Sequence, residues 1–279
     1  MADFLLEQEQ IIRLSFFIGV FVVMAIWEIR RPRRALTQSK LHRWFNNIGL
    51  VVCNTILLRF IFPAAAVGMA FFAEQHGWGL FNVLSWPSWV IIPITIIVLD
   101  FIIYLQHVLF HAVPVLWRLH RVHHADMDFD VTTGARFHPI EIILSMVIKY
   151  AAIVALGAPV VAVILFEIIL SSMAMFNHSN VKLPTVIDKR LRAILVTPDM
   201  HRVHHSITPR ETNSNFGFSL AIWDRYLGTY RAQPEAGHKN MLLGIDCFRN
   251  PKQVQSISGM LYLPFKEKSK KYSINERNL

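Results

Sequence analysis

The run Trp89-Val-Ile-Ile-Pro-Ile-Thr-Ile-Ile-Val-Leu-Asp-Phe-Ile-Ile-Tyr-Leu-Gln106, met at its end by His107 and then His111, decides the architecture. It holds one charged side chain, Asp100, and is long enough to cross the ~30 Å hydrocarbon core of a bilayer as a helix. Trp86 and Trp89 stand at its start, where aromatic residues anchor a span at the interface. Working outward, four more apolar stretches appear, at 11–27, 48–72, 140–156 and 160–176. Pro63 is expected to kink the second of these. The last two are separated by Gly157-Ala158-Pro159 and read as a helical hairpin, one that dips into the membrane or crosses it twice, because its arms are short and Lys149 sits in the first.

The whole chain agrees with this reading. Of its 279 residues 53% are hydrophobic and 17% charged, against about 25% charged in an ordinary soluble domain. Mean hydropathy is +0.38. The net charge of +9 does not point to nucleic acid, because the basic residues flank apolar runs. That is the pattern of a cytoplasmic membrane face against anionic lipid. Two cysteines make no disulfide framework, and Cys53, inside an apolar run, reads as a small buried hydrophobe. The acidic N-terminus lacks the basic start of a cleaved signal peptide.

Arg30, Arg31, Arg33, Arg34, Lys40 and Arg43 follow the first span, whereas no Lys or Arg occurs from Phe60 through Trp117. The positive-inside rule therefore puts residues 30–43 in the cytoplasm and the loop 73–88 outside. The third span returns near His107. Whether the hairpin crosses twice or not at all, everything after residue 176 is cytoplasmic too. The expected fold is all-α and membrane-integral, with about four transmembrane or re-entrant helices under a cytoplasmic helical cap. A single domain, 1–279, is expected, with a core at 90–232 and a cytoplasmic tail at 233–279 that includes the basic run Lys266-Glu-Lys-Ser-Lys-Lys271.

Ten of the 13 histidines lie between residues 107 and 205, and the string His-Arg-Val-His-His occurs twice, at 120–124 and 201–205. On a helix, positions i, i+3 and i+4 share a face, so each triad is expected to aim three imidazoles at one point. His107 and His111 do the same at i, i+4, while Arg121 and Arg202 point away. With single His138 and His178, this offers too many nitrogens for one ion of ordinary coordination number, and two ions are implied. A lone histidine at an interface is ordinarily a satisfied polar residue, which is the reading for His42, His76 and His238. Asp126-x-Asp128-x-Asp130 resembles the start of a calcium loop, but Val131 replaces the needed Gly and Phe137 the bidentate Glu, so it reads as a polar turn. Asp100, Glu141, Asn177, Asp199, Asp224 and one of the three turn aspartates are candidates to orient ligand imidazoles. Asn213, Asn215 and Trp223 are candidates to shape a pocket.

A metal site fed by apolar helices suggests an apolar substrate, and unactivated C–H bonds require activated oxygen. That favours iron over zinc, although zinc can substitute on purification. The sequence resembles the fatty acid hydroxylase/sterol desaturase superfamily. The resemblance rests on Gln106-His-Val-Leu-Phe-His111, Leu119-His-Arg-Val-His-His124, Arg136-Phe-His-Pro-Ile-Glu141, Asn177-His-Ser-Asn180, His201-Arg-Val-His-His-Ser206, Asn213-Ser-Asn-Phe-Gly217 and Trp223-Asp-Arg-Tyr-Leu-Gly-Thr-Tyr230. Within it the chain is most similar to the alkylglycerol monooxygenase branch and its bacterial sterol desaturase-like relatives.

The resemblance implies metal ligation at His107, His111, His120, His123, His124, His201, His204 and His205, with His138 and His178 at further family positions. It implies two iron ions, O₂ as cosubstrate, and an external donor: a reductase, cytochrome, ferredoxin or pterin. The implied reaction is hydroxylation or desaturation of a membrane lipid such as a sterol, fatty acyl chain or alkylglycerol. A metal transporter or storage protein and a zinc-dependent membrane hydrolase are the competing readings. The C-terminus lacks a dilysine retrieval signal, which favours a bacterial inner membrane over the endoplasmic reticulum.

Overall fold

A computed structural model describes residues 7–84, 86–266 and 272–274. Most of the basic run expected to form a solvated end, 267–271, lies outside the described residues. Among those described the chain is helical, with only isolated bridges such as Pro32 to Val181 and Ser206 to Leu243. Five stretches are long and apolar enough to cross a membrane: Glu9–Arg30, Lys40–Val83, Ser88–Ala112, Pro139–Leu156 and Val160–Asn177. The protein is a multi-pass membrane protein. Its spans turn large apolar side chains outward, among them Phe60 at 83% exposure, Val83 at 77% and Ile11 at 64%. Water would not tolerate so continuous an apolar surface, whereas acyl chains do.

The long helices are α1 (Glu9–Arg30), α2 (Lys40–Ile61), α3 (Ala65–Gln75), α4 (Ser88–Ala112), α5 (Pro114–His124), α6 (Pro139–Leu156) and α7 (Val160–Asn177). Pro63 does more than kink the second apolar stretch. Helix α2 stops at Ile61 and α3 restarts at Ala65, because proline lacks the N–H that would continue the ladder. α7 lies at the centre, packed by α1, α3 and α4. Ala66, Val67, Leu99, Ile153, Val163 and Phe166 form the intramembrane core between these helices and α6.

The hairpin α6–α7 has two 18-residue arms, each about 27 Å long at 1.5 Å per residue. Its turn needs glycine. Gly157 is left-handed at φ +61, and a side chain there would meet the Trp78 carbonyl at 2.7 Å. Gly79, at φ +94, would strike the Gly157 nitrogen at 2.0 Å. This close approach fixes the hairpin tip and the loop after α3 at one end of the molecule, with the histidines at the other.

At the histidine end, α5 and a shorter helix both begin with proline and carry the same string at their C-terminal ends. α5 opens with Pro114 and closes on His-Arg-Val-His-His. Thr185–Leu191 forms α8, and α9 (Pro198–His204) repeats the pattern. Proline at the first turn costs no backbone hydrogen bond, and Thr197 caps α9 by accepting from Met200 N at 3.4 Å. Described residues of the C-terminal segment pack against the helices. Ile245, Phe248, Val254, Met260, Leu263 and Tyr272 pack with Leu50, Trp117, Val122 and Ala125 in one core. Cys53 departs from expectation: it is exposed on the outer face of α2 rather than buried.

Candidate metal centre

Nine of the ten predicted histidines converge in two buried groups. His107, His111, His120, His124 and His204 form one; His123, His178, His201 and His205 form the other. Within each group the candidate ligand atoms lie within 4.8 Å of one another. The expectation that each triad points at a single spot needs correction. Each is divided: His120 and His124 serve the first group while His123 serves the second, and His201 and His205 serve the second while His204 serves the first. The reason is angular. Residues i and i+4 are nearly in register on a helix, but consecutive residues diverge by about 100°, so His123 and His124 cannot share one ion. The two repeats thus exchange one imidazole each.

His138 is not brought to either group. It caps α6, accepting from Ile140 N at 3.2 Å, and its Nε2 faces the Leu261 carbonyl at 3.3 Å.

The donor set fits metal. His111 Nε2 lies 3.1 Å from His124 Nε2, His123 Nε2 3.1 Å from His178 Nε2, and His178 Nε2 3.0 Å from His201 Nε2. Ligands at right angles on an ion about 2.1 Å away sit about 3 Å apart, as these do. On five of the nine rings the opposite nitrogen is held by an acceptor, whereas Nδ1 of His123, His124 and His201 is buried with no hydrogen-bond partner among the described residues. His107 Nδ1 donates to Phe216 O (2.8 Å), His204 Nδ1 to Ser214 O (2.7 Å) and His178 Nδ1 to Ala174 O (2.8 Å). His120 Nδ1 meets Glu141 Oε1 at 2.6 Å, and His111 Nδ1 meets Asn213 Oδ1 at 3.0 Å. A carbonyl only accepts, so its imidazole keeps the proton on Nδ1 and leaves the Nε2 lone pair for an ion. Nε2 of His107, His120, His204 and His205 is buried with no hydrogen-bond partner among the described residues.

Burial pushes His120 and His178 down to about 3, and burial with mutual repulsion pushes His123, His124, His201, His204 and His205 well below the ordinary range. These rings are neutral, which is the form that ligates.

Supporting residues divide into those the sequence marked and those it did not. Glu141 orients His120, as its candidacy suggested. Asp224 acts one step removed: it accepts from Phe216 N at 2.7 Å and Gly217 N at 2.8 Å, fixing the carbonyl on His107. Asp100 accepts from Trp223 Nε1 at 2.9 Å, Asn177 Nδ2 donates to Phe218 O at 2.8 Å, and Asp199 pairs with Arg33 and Arg202. These three fix the surrounding chain rather than one of the nine clustered imidazoles; Asp199 also lies 3.7 Å from His238 Nε2. The turn aspartates do not orient imidazoles either: Asp126 and Asp130 hold Arg43, and Asp128 accepts from Thr37 N and Gln38 N. Arg121 and Arg202 do turn away, to Leu263 O and to Asp199. Asn213, taken for a pocket residue, reaches His111. The carbonyls of Ala174, Ser214 and Phe216 had no signal at all.

A cavity of about 160 Å³ opens beneath both groups, lined by His107, His120, His123, His178 and His201 with Ile103, Phe110, Phe137, Ile142, Leu170 and Phe218. Phe137 stacks on His123 at 4.5 Å between ring centres. Replacing Glu141 with Ala leaves His120 free to rotate, and metal affinity should fall about 10- to 100-fold. Competition against a chelator checks this; unchanged retention would show that His120 is oriented by something else.

Residues 92–229 match the family model described as fatty acid hydroxylase. Ornithine lipid hydroxylase OlsE of Rhizobium tropici is 26% identical over 270 residues, 94% of this chain and 78% of that protein. Alkylglycerol monooxygenase of Xenopus tropicalis is 31% identical over 171 residues, 61% of this chain and 36% of that protein. Fatty acid hydroxylase vlmA of Lecanicillium sp. is 27% identical over 176 residues, covering 58% and 48%. The chain thus spans most of the first relative's length but only about a third to a half of the other two. No solved structure matches it.

Proposed function

Because the chain belongs to the fatty acid hydroxylase family through residues 92–229, we propose that it is a membrane-embedded monooxygenase. It holds two iron ions on the nine clustered histidines and uses O₂ to hydroxylate a C–H bond of a membrane lipid. One observation carries this reading: two groups of buried, neutral imidazoles roof a cavity whose walls are apolar side chains of α4, α6 and α7.

When bound, the iron supplies the electron transfer to O₂ that breaks an unactivated C–H bond. The protein supplies the rest. Ile103, Phe110, Phe137, Leu170 and Phe218 shed water from the space beneath the imidazoles and take up hydrocarbon. Glu141, Asn213 and the Phe216, Ser214 and Ala174 carbonyls hold the rings of His120, His111, His107, His204 and His178, so these five need not reorganise during turnover. Trp117 covers the far side, 4.8 Å from the His111 ring and 5.3 Å from that of His124.

Donor groups made of histidine alone among the described residues would set the site apart from the Glu-rich di-iron bundles. Histidines gathered at one end of the helices, rather than strung across their middle, argue against a transport path. Arg30 to Arg43 flank that end, so the positive-inside rule assigns it to the cytoplasm, where a separate donor protein or pterin delivers electrons. The names of the relatives, hydroxylases and monooxygenases of polar lipids, support hydroxylation over desaturation. A bacterial inner membrane is the compartment proposed.

The test is expression under ¹⁸O₂ followed by mass spectrometry of total lipid. A lipid carrying one labelled hydroxyl, absent from cells with a His201→Ala chain, is the expected result. Unlabelled lipid throughout would overturn the assignment.

A further inference from the structure

The metal cavity does not end at the metals. On α6, Glu141, Ser145 and Lys149 stand at four-residue intervals and so on one face, and all three line it. Ser145 accepts from Gln106 Nε2 at 2.8 Å. A second cavity of about 400 Å³ shares Ile142, Ser145 and Lys149 with the first and is lined by Glu9, Arg13, Arg59 and Glu167. The two cavities abut at these residues and follow one another along α6, from His120 to a charged cluster inside the membrane-spanning region.

There, Lys149 Nζ bonds Glu167 Oε1 at 2.5 Å, and Arg13 bonds Glu167 Oε2 at 2.9 Å and Glu9 Oε2 at 3.0 Å. Against two carboxylates the cavity carries three cations, and among the described residues Arg59 has no acidic partner. Lysine has three N–H donors, of which Glu167 takes one. Fixed charge among apolar helices is expensive and marks a ligand path more often than a stabilising pair.

We propose that these two cavities together seat the lipid substrate, with Lys149 and Arg59 receiving an anionic group on it, a carboxylate or phosphate. The eight residues from Glu141 to Lys149 rise about 12 Å, and that length fixes how far from the anion the oxidised carbon lies. The proposal rests on the lipid-hydroxylase reading for its consequence but not for its test, which is binding. Full-length protein in phosphatidylcholine nanodiscs is titrated with radiolabelled palmitate, its methyl ester and hexadecyl phosphate.

The expected result is that at least one anion binds about tenfold tighter than the ester. Lys149→Met, which leaves Glu167 paired with Arg13, should abolish that preference without changing ester binding, and Arg59→Gln should reduce it. Whichever of palmitate and hexadecyl phosphate binds tighter names the group. Equal binding of acid, phosphate and ester to the wild type, or an anion preference intact in Lys149→Met, would overturn the proposal. Anion preference in a protein that hydroxylates nothing would leave this site standing and remove the oxygenase reading instead.

Discussion

His123→Ala should lose about one iron per chain and all detectable lipid oxidation, while His204→Ala loses clearly less metal. The asymmetry follows from the partition of the repeats. His123 belongs to a group of four, and its removal leaves three nitrogens. His204 belongs to a group of five, and four remain, still enough for a closed set around one ion. His123 also lines the cavity, with Nε2 3.1 Å from that of His178 and its ring stacked on Phe137, so its loss widens the cavity beside the second group. Iron per chain is read by elemental analysis of detergent-purified protein, and lipid product by mass spectrometry. Equal metal loss in the two variants would contradict the division of the ligands, and full turnover in His123→Ala would remove that residue from the centre.

Arg43→Met should destabilise the protein by about 3–5 kcal/mol, the usual effect of removing one partner from a buried charged cluster. Arg43 is fully buried on α2, and its guanidinium bonds Asp126 at 3.0 and 2.7 Å, Thr133 at 3.2 Å, and Asp130. Without it, Asp126, a carboxyl held down to about 2 mainly by the adjacent Arg43 and Arg136, against the opposing pull of its burial, loses its hydrogen-bonded cation and keeps Arg136 as a charged neighbour. The turn it anchors carries Gly134, whose α-carbon presses so close to the Ala174 carbonyl that a side chain there would sit 2.5 Å from it. That carbonyl holds His178. The variant should therefore lose metal from the four-histidine group as well as melt earlier, and thermal unfolding with metal analysis reads both. Wild-type melting would show that the cluster is dispensable.

Much of this was legible in the chain. Long apolar runs need helices because no water is available to satisfy a broken backbone, so an all-α membrane fold follows from composition and run length. Charge asymmetry around the spans placed the histidines at one end before any coordinates, and the i, i+3, i+4 spacing marked the histidines that cluster. What stayed hidden has physical causes. Spacing on one helix shows which imidazoles share a face, not that His123 and His124 turn to different ions. Every residue has a carbonyl, so nothing in Ala174, Ser214 or Phe216 announces a role. His138 looks like its neighbours in the sequence, yet it spends one nitrogen on capping α6 and turns the other to Leu261. Within the segment 233–279 the apolar side chains are spaced by short turns, so their packing against Leu50, Trp117, Val122 and Ala125 has no local signal. Cys53 is apolar by context, but in a bilayer an apolar position can face outward, so burial does not follow from hydrophobicity.

The most direct measurement is metal content together with iron K-edge absorption on the purified wild-type protein, reconstituted anaerobically with ferrous iron. The account predicts about two irons per chain with a first coordination sphere dominated by histidine nitrogen near 2.1 Å. One ion per chain, or zinc that iron and reductant cannot displace, would contradict it.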